Sequence, residues 1–151
     1  MQQVSIRPAV KSERAFLESL QRRASLENPG DREAIRTNPD AIELPPGQIE
    51  AGGVFVAEVD GVILGFAAIL PRADGDSELD ALFVEPTVWR QGIGRALVAH
   101  CCHAAAATGS TSLHVLGNPH AEGFYRSCAF TRLGTQPTRF GVGFLMIRGV
   151  R

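Results

Sequence analysis

The chain has 151 residues, of which 44% are hydrophobic, and its 15 Lys and Arg residues nearly balance 16 Asp and Glu. This length and apolar content suit one compact domain with a proper core, so we expect a single domain over residues 1–151. The charge balance excludes a basic face for nucleic acid and a charged tail for a membrane, and the apolar runs are too short to span a bilayer.

The first predicted elements are a strand over residues 4–6 and a helix over residues 11–24. Within the helix, Phe16, Leu17 and Leu20 recur at helical spacing. We expect this stripe to face the core.

The least regular part is residues 25–52. A second helix is predicted over residues 32–36, because turn residues Asn28-Pro29-Gly30-Asp31 precede it and Asn38-Pro39-Asp40 follow it. The segment Leu44-Pro45-Pro46-Gly47 favours irregular chain.

A β-hairpin is predicted next, over residues 53–59 and 62–70. The two runs are rich in β-branched and aromatic residues, and the two residues between them are Asp60 and Gly61. An Asp-Gly pair between such runs is a strong signal for a two-residue hairpin turn.

The second half alternates strands and helices. We predict a strand over residues 78–84, a helix from a glycine loop to about residue 108, a strand over 112–116, a helix over 121–127, and strands near 130–133 and 142–147. This order predicts an α/β (mixed α+β) fold with a mixed, mostly antiparallel central sheet and helices on both faces.

The glycine loop is the most informative segment. A β-type run ends at Pro86, and after a polar turn Gly92 and Gly94 open directly into an amphipathic helix. A helix start leaves backbone N–H groups without partners and carries partial positive charge, and glycines let a phosphate approach the backbone. The loop therefore predicts a phosphate-bearing ligand, although a tight strand-to-helix turn with no ligand is the alternative.

Two nucleotide motifs do not fit this loop. A P-loop has four residues between its glycines and then Lys-Ser/Thr, whereas one residue separates Gly92 from Gly94 and Arg95-Ala96 follows. A dinucleotide fingerprint starting at Gly92 would place Leu97 at its last glycine, and no acidic residue ends the next strand.

The loop resembles the pyrophosphate loop of the GNAT superfamily of N-acetyltransferases, Arg/Gln-x-x-Gly-x-Gly/Ala. Aligning the glycines puts Trp89 where the family has Arg or Gln, while a shift of two residues matches Gln91 to Ala96. Either Arg90 supplies the missing charge or Trp89 packs against the adjacent chain.

A second segment carries the same resemblance. GNAT proteins commonly have Asn-x-x-Ala-x-x-Phe-Tyr-x-x-x-Gly-Phe downstream of the loop, and Ala129 here replaces the glycine. The matching residues are Asn118, Ala121, Phe124, Tyr125 and Phe130. From helical spacing alone, Phe124 is expected in the core.

The resemblance implies acetyl-CoA as cosubstrate and a set of residues that bind it. These are Leu82, Phe83, Val84, Arg90, Gln91, Gly92, Ile93, Gly94, Arg95, Ala96, Asn118 and Phe124. The pantetheine arm would pair with Leu82 to Val84 like an added strand, and the Val84 N–H would polarise the acyl carbonyl.

The chemistry involves two proton transfers. The attacking amine must be neutral, and Glu78 and Asp80, which alternate onto one face of their strand, are candidate bases. By resemblance Tyr125 is the general acid for the departing thiolate, and the alternative is a packed ring. Cys128 has no paired histidine, so direct transfer is favoured over an acyl-enzyme.

The expected function is acyl transfer from acetyl-CoA to a small-molecule or peptide amine, with no nucleic acid or membrane partner; a homodimer stays open. A noncatalytic acyl-CoA sensor is the alternative, and a nucleotide-binding interaction domain is less favoured. The resemblance places Arg22, Arg23, Arg139 and Phe140 near the acceptor, although such arginines are more often solvated or paired.

The cysteines and histidines indicate location and metal content. Three cysteines, two of them adjacent, form no disulfide framework and fit a reducing compartment. The N-terminus also lacks the apolar core of a signal peptide, so we expect a cytoplasmic protein. His114 and His120 lack ligand spacing, and His103 on the loop helix should face solvent, so no metal site is expected.

Overall fold

The structure, a computed structural model, describes residues 3–151, which form seven strands and five α-helices. The strands are β1 (Ser5–Pro8), β2 (Val54–Val59), β3 (Val62–Pro71), β4 (Ser77–Val84), β5 (Ser112–Gly117), β6 (Thr131–Thr138) and β7 (Gly141–Gly149). The helices are α1 (Arg14–Glu27), α2 (Pro29–Thr37), α3 (Pro46–Glu50), α4 (Ile93–Ala107) and α5 (Glu122–Ser127). Within residues 3–151, no helix has the length and hydropathy needed to cross a bilayer.

One sheet contains all seven strands, in the order β1-β2-β3-β4-β5-β7-β6. The pairs β1/β2, β2/β3, β5/β7 and β6/β7 are antiparallel, and β4/β5 is parallel. A parallel pair needs a long crossover, and α4 lies between these two strands in sequence. The prediction of a mixed, mostly antiparallel sheet in an α/β fold is confirmed.

The described residues divide into two compact units. The first contains the chain up to Ala68 together with Ala81–Leu97. Its core lies between α1, α3 and the β2–β3 hairpin and consists of Ala9, Leu17, Leu20, Leu44, Ile49, Val54, Val56, Phe66 and Ala68. This unit holds the glycine loop.

The second unit contains Ile69–Asp80 and Val98–Arg151. Leu113 and Val115 alternate onto a buried face of β5, and Met146 is buried on β7. Cys101 and Ala105 of α4 are fully buried and His103 is exposed, as expected for the predicted amphipathic helix. This unit holds Tyr125.

The hairpin prediction is confirmed nearly to the residue. β2 and β3 pair from Val54↔Ala68 to Val59↔Val62. Asp60 and Gly61 both have positive φ, at 52° and 78°, as a two-residue turn of this hand requires.

Three helical predictions need correction, two of them at prolines. α2 begins at Pro29 rather than at residue 32, and α3 occupies Pro46–Glu50, which was expected to be irregular. In both helices proline lies in the first turn, where its missing N–H removes no helical hydrogen bond. The third error is Phe16, which is 46% exposed, whereas Leu17 and Leu20 are buried.

The last hairpin is longer than predicted. β6 continues to Thr138 and includes Pro137, whereas the strand was expected to end near residue 133. β6 is the last strand in the sheet order, and proline is tolerated on such an edge because one side of the strand has no ladder to complete.

Candidate functional site

The glycine loop has the geometry of a backbone anion site. Arg90 and Gly92 have φ of 66° and 89°, so the chain passes through left-handed conformations before α4 begins at Ile93. The Ala96 N–H donates to the Gly92 carbonyl at 3.0 Å. The N–H groups of Gly92, Ile93 and Gly94 precede that bond and have no acceptor within the helix. A Cβ at Gly92 would meet no atom of residues 3–151 within 4 Å, so the surface at this residue is open.

The strand before the loop presents two different faces. Ala81 and Phe83 pack against the core of the first unit, so Leu82 and Val84 point to the opposite face. This confirms the predicted alternation. Among the described residues, β4 is in register with β5 only from Ser77 to Leu79. Leu82 to Val84 therefore lie beyond the paired part of that edge.

Trp89 anchors the turn between β4 and α4. Its indole Nε1–H donates to the carbonyl of Val84 at 2.7 Å, while the side chain stays 41% exposed. The N–H of Glu85, the residue after Val84, donates to the Leu64 carbonyl at 2.8 Å and so ties the start of the turn to β3. Trp89 thus closes the turn on the end of β4, as one of the two sequence interpretations proposed.

Tyr125 is buried in an aromatic cluster of the second unit. Its ring packs edge-on against Phe124, with centroids 5.3 Å apart, and against Phe130, at 5.4 Å. Burial raises the pKa of the hydroxyl above its usual value, because the phenolate would lose its hydration. A Cβ on Gly117 would come within 2.9 Å of the Tyr125 ring, so only glycine fits at this end of β5.

Two other residues of the segment from Asn118 to Phe130 are more exposed than Tyr125. Phe124 is 36% exposed, so the expectation that it lies in the core is wrong. α5 has only 6 residues, and the face that buries Tyr125 does not also bury the neighbouring Phe124. Asn118 is exposed, and its carbonyl accepts from the Ala121 N–H at 2.9 Å at the start of a 3-10 turn.

The candidate bases Glu78 and Asp80 lie on β4 in the second unit. Glu78 is partly exposed and forms a long ion pair with Arg72, with 3.8 Å between Oε1 and Nη1. Asp80 is exposed, and the buried Leu79 between them points the other way. The strand thus places both carboxylates on one face, as predicted.

A stronger polar cluster lies beside this strand, around Asp76. Its carboxylate accepts from the N–H groups of Thr111 and Ser112 at 3.0 and 3.1 Å, and its other oxygen lies 2.9 Å from His114 Nε2. These hydrogen bonds, the one to His114 foremost, lower the pKa of Asp76 to about 2. The ligand-type atoms of Asp74, Asp76 and His114 lie within 4.8 Å of one another. The hydrogen bonds join the start of β5 to the turn before β4.

The cysteines are free and buried, which confirms that they form no disulfide framework. Burial raises the pKa of the Cys101 thiol to about 12 and also raises that of Cys102. Cys128 is buried as well, and Arg148 donates to its carbonyl oxygen at 3.1 Å. Buried thiols are poor nucleophiles, so these residues give no basis for a covalent intermediate.

A pocket of about 270 Å³ opens in the first unit next to the end of β4. It lies between the last turn of α1 and the residues that follow Val84. Its lining consists of Arg23, Leu26, Glu27, Glu85, Pro86 and Thr87. Arg23 donates two hydrogen bonds to Glu85, from Nε to Oε1 at 2.7 Å and from Nη2 to Oε2 at 2.8 Å.

A comparison with protein families identifies the class to which the chain belongs. The model of the acetyltransferase (GNAT) family matches residues 16–130, which include the loop and the Tyr125 segment. The chain belongs to the GNAT acetyltransferase family. It is therefore an acetyltransferase, as the sequence predicted. No curated protein matches the sequence.

Solved GNAT structures share the fold over nearly the whole chain. One is yncA of Salmonella typhimurium, solved with its cofactor acetyl-CoA, at 20% identity, a TM-score of 0.74, and coverage of 99% of this chain and 95% of that one. A GCN5-related N-acetyltransferase from Rhodopseudomonas palustris has 20% identity, a TM-score of 0.79, and 99% and 97% coverage. The PaiA N-acetyltransferase of Thermoplasma acidophilum, in complex with coenzyme A, has 17% identity, a TM-score of 0.76, and 98% and 99% coverage.

The predicted GNAT site residues fall into two groups. The first unit contains the candidate cofactor residues from Leu82 to Ala96, which lie on one continuous strand, turn and helix start. The second unit contains the remaining candidates, Glu78, Asp80, Asn118, Phe124 and Tyr125. Each group has the local geometry described above.

Sequence reasoning missed several contacts within these units. The Arg23–Glu85 pair joins residues 62 positions apart, and the bond between Asp76 and His114 joins residues 38 apart. No local pattern indicates such pairs. The one available signal was an acidic residue, Glu85, directly after β4.

Proposed function

We propose that the protein transfers the acetyl group of acetyl-CoA directly to a primary amine. The observation that carries this proposal is the glycine loop, where backbone N–H groups without helical acceptors lie beside an open surface at Gly92. Membership of the GNAT family and the structural neighbours with acetyl-CoA or coenzyme A support the same cosubstrate.

Binding of the pyrophosphate and of the pantetheine arm is assigned to the first unit. The N–H groups of Gly92, Ile93 and Gly94 hold the pyrophosphate, assisted by the positive end of α4. Leu82 to Val84 pair with the pantetheine arm, since within residues 3–151 β5 is in register with β4 only as far as Leu79. Trp89 supports this edge by its hydrogen bond to the Val84 carbonyl.

The proton steps are assigned to residues of the second unit. In the reaction the amine nitrogen bonds to the acetyl carbon, the C–S bond breaks, the amine loses a proton and the thiolate gains one. Glu78 or Asp80 receives the first proton, directly or through water, and Tyr125 supplies the second. The ordinary pKa of a tyrosine, near 10, already leaves its hydroxyl protonated at neutral pH, and burial raises the pKa of Tyr125 further, so it enters the reaction as a proton donor.

Both units belong, in this proposal, to a single acetyltransferase domain over residues 1–151. The family match crosses from one unit to the other, since it includes residues on both sides of every boundary between them. The buried thiols favour direct transfer over an acyl-cysteine intermediate.

The alternative function is a noncatalytic acyl-CoA sensor, and turnover separates the two. The intact protein with saturating acetyl-CoA is assayed for free thiol release across a broad panel of primary amines. Transfer predicts release that depends on the amine and matches the N-acetyl product one to one. Acetyl-CoA binding with no amine-dependent release from any member of the panel would favour the sensor.

A further inference from the structure

The pocket beside Glu85 is placed to receive the acceptor. Glu85 directly follows Val84, whose N–H is assigned to the acyl carbonyl, and consecutive strand residues rise by about 3.3 Å. α1 contacts the 3-10 turn Pro86–Val88, which forms the other wall. The pocket therefore begins about one residue away from the proposed reaction centre.

The charge of this pocket is negative. Its lining contains one basic residue, Arg23, and two acidic residues, Glu27 and Glu85. Both hydrogen bonds of the Arg23–Glu85 pair are short and parallel, so the guanidinium is already committed to a carboxylate. This pairing lowers the pKa of Glu85, which keeps it ionised at neutral pH. A cation is favoured in the pocket and an anion is not.

The reacting amine is a poor candidate for that cation. A carboxylate beside an ammonium raises the pKa of the ammonium, whereas attack requires the neutral amine. Binding the reacting nitrogen between Glu27 and Glu85 would oppose its deprotonation. The same two carboxylates are useful if they hold a second positive group that does not react.

The size and surface of the pocket limit the part of the acceptor that lies between its positive groups. At about 270 Å³ the pocket is smaller than the usual range for drug-sized ligands, roughly 300–1,000 Å³. Leu26 and Pro86 give it apolar walls between the charged groups. These walls suit a short hydrocarbon chain.

We propose that the acceptor is a small amine with a second cationic group on a short apolar chain, and that Glu27 and Glu85 bind this second group. Arg23 acts as a positioning residue that holds the Glu85 carboxylate. The proposal rests on the proposed amine acetylation and names its acceptor class.

The test compares three acceptors with the same four-carbon chain. These are 1,4-diaminobutane, n-butylamine and 4-aminobutyrate, assayed for thiol release and N-acetyl product with saturating acetyl-CoA at fixed ionic strength. An exposed or partly buried ion pair contributes up to about 1 kcal/mol, so we expect kcat/KM for the diamine to exceed that for butylamine about fivefold. The zwitterion should react most slowly.

Glutamine variants of the pocket residues test whether the diamine preference arises in this pocket. Glu27→Gln should reduce the ratio of kcat/KM for the diamine to kcat/KM for butylamine about threefold. Glu85→Gln should also weaken the diamine preference. Because Arg23 then lacks its carboxylate partner, kcat/KM for 4-aminobutyrate should rise relative to that for the other two acceptors. The matched control is Glu33→Gln, an exposed glutamate of α2 outside the pocket lining, which should change none of these ratios.

The outcomes separate this inference from the proposed function. Equal kcat/KM for the three acceptors, or a preference for 4-aminobutyrate in the wild-type protein, overturns the acceptor class while confirming amine acetylation. A diamine preference that survives both glutamine variants also overturns it, since the cation then binds elsewhere. Absence of release from 1,4-diaminobutane, with release from other amines in the broad panel, likewise contradicts the acceptor class alone.

Discussion

The glycine loop and the Tyr125 segment contribute to the proposed reaction in opposite ways. The loop offers main-chain N–H groups on an exposed surface, and its side chains Arg90 and Gln91 are exposed. The segment offers one side-chain hydroxyl on a ring that is only 9% exposed. The loop should therefore be sensitive to backbone conformation, whereas the segment should be sensitive to the identity of one side chain.

The largest expected effect comes from removing the hydroxyl of the segment. Tyr125→Phe keeps the ring and its packing against Phe124 and Phe130 but removes the proton donor. Because a positioned acid contributes at least about 100-fold, kcat should fall by about that factor while KM for acetyl-CoA stays nearly constant. Steady-state kinetics with circular dichroism as a folding control measure this. Unchanged kcat would remove the general-acid role.

The next effect tests the backbone of the loop. Gly92→Val forces a β-branched residue into a φ of 89°, at a strain of about 1–3 kcal/mol, so the loop should shift and KM for acetyl-CoA should rise about tenfold. Gly75→Val is a matched control, because Gly75 has a φ of 90°, equally open surroundings and a position in a different turn. Equal KM values for the two variants would contradict a pyrophosphate role for the loop.

A smaller effect is expected from the candidate bases, because their exposure lets water replace them in part. Glu78→Gln and Asp80→Asn are compared across a pH profile of kcat/KM. The variant that removes the base should lose about fivefold, or about 1 kcal/mol of barrier, and the other should stay near wild type. Two profiles identical to wild type would place the base on another residue.

The smallest effect concerns the stability of the unit that holds Tyr125. The pKa of Asp76 is lowered from 3.8 to about 2 in the folded state, so the unfolded chain binds its proton first as the pH falls. The stabilisation is complete above about pH 4 and should be lost as the pH falls from 3.8 to 2. Thermal melts should show a steeper acid loss for wild type than for Asp76→Asn. Parallel curves would contradict this account.

Local chemistry made much of the fold predictable from the sequence. The β2–β3 hairpin followed from the Asp60-Gly61 pair, and the burial of one face of α4 followed from its amphipathic pattern. The start of α2 was misplaced and α3 was missed, because proline indicates both a turn and the first turn of a helix. The flanking residues did not separate these possibilities.

The candidate site was also only partly predictable from the sequence. The spacing of Gly92 and Gly94 predicted where backbone groups are exposed, since that depends on neighbouring residues only. The exposure of Phe124 and the pairing of Arg23 with Glu85 depend on residues distant in sequence, so no local pattern contains them. The general-acid role of Tyr125 was likewise implied by family resemblance and stays a prediction.

The central claim is that the glycine loop binds acyl-CoA, and the single tryptophan of the chain tests it directly. Trp89 lies three residues before Gly92, is 41% exposed and bonds to the end of β4, so a ligand at the loop should change its emission. Titration of the intact protein with acetyl-CoA should give a saturable change in tryptophan fluorescence that Gly92→Val weakens and Gly75→Val preserves. ATP and NAD should give weaker changes at equal concentration. No saturable change with acetyl-CoA, or a stronger response to ATP or NAD, would contradict the assignment.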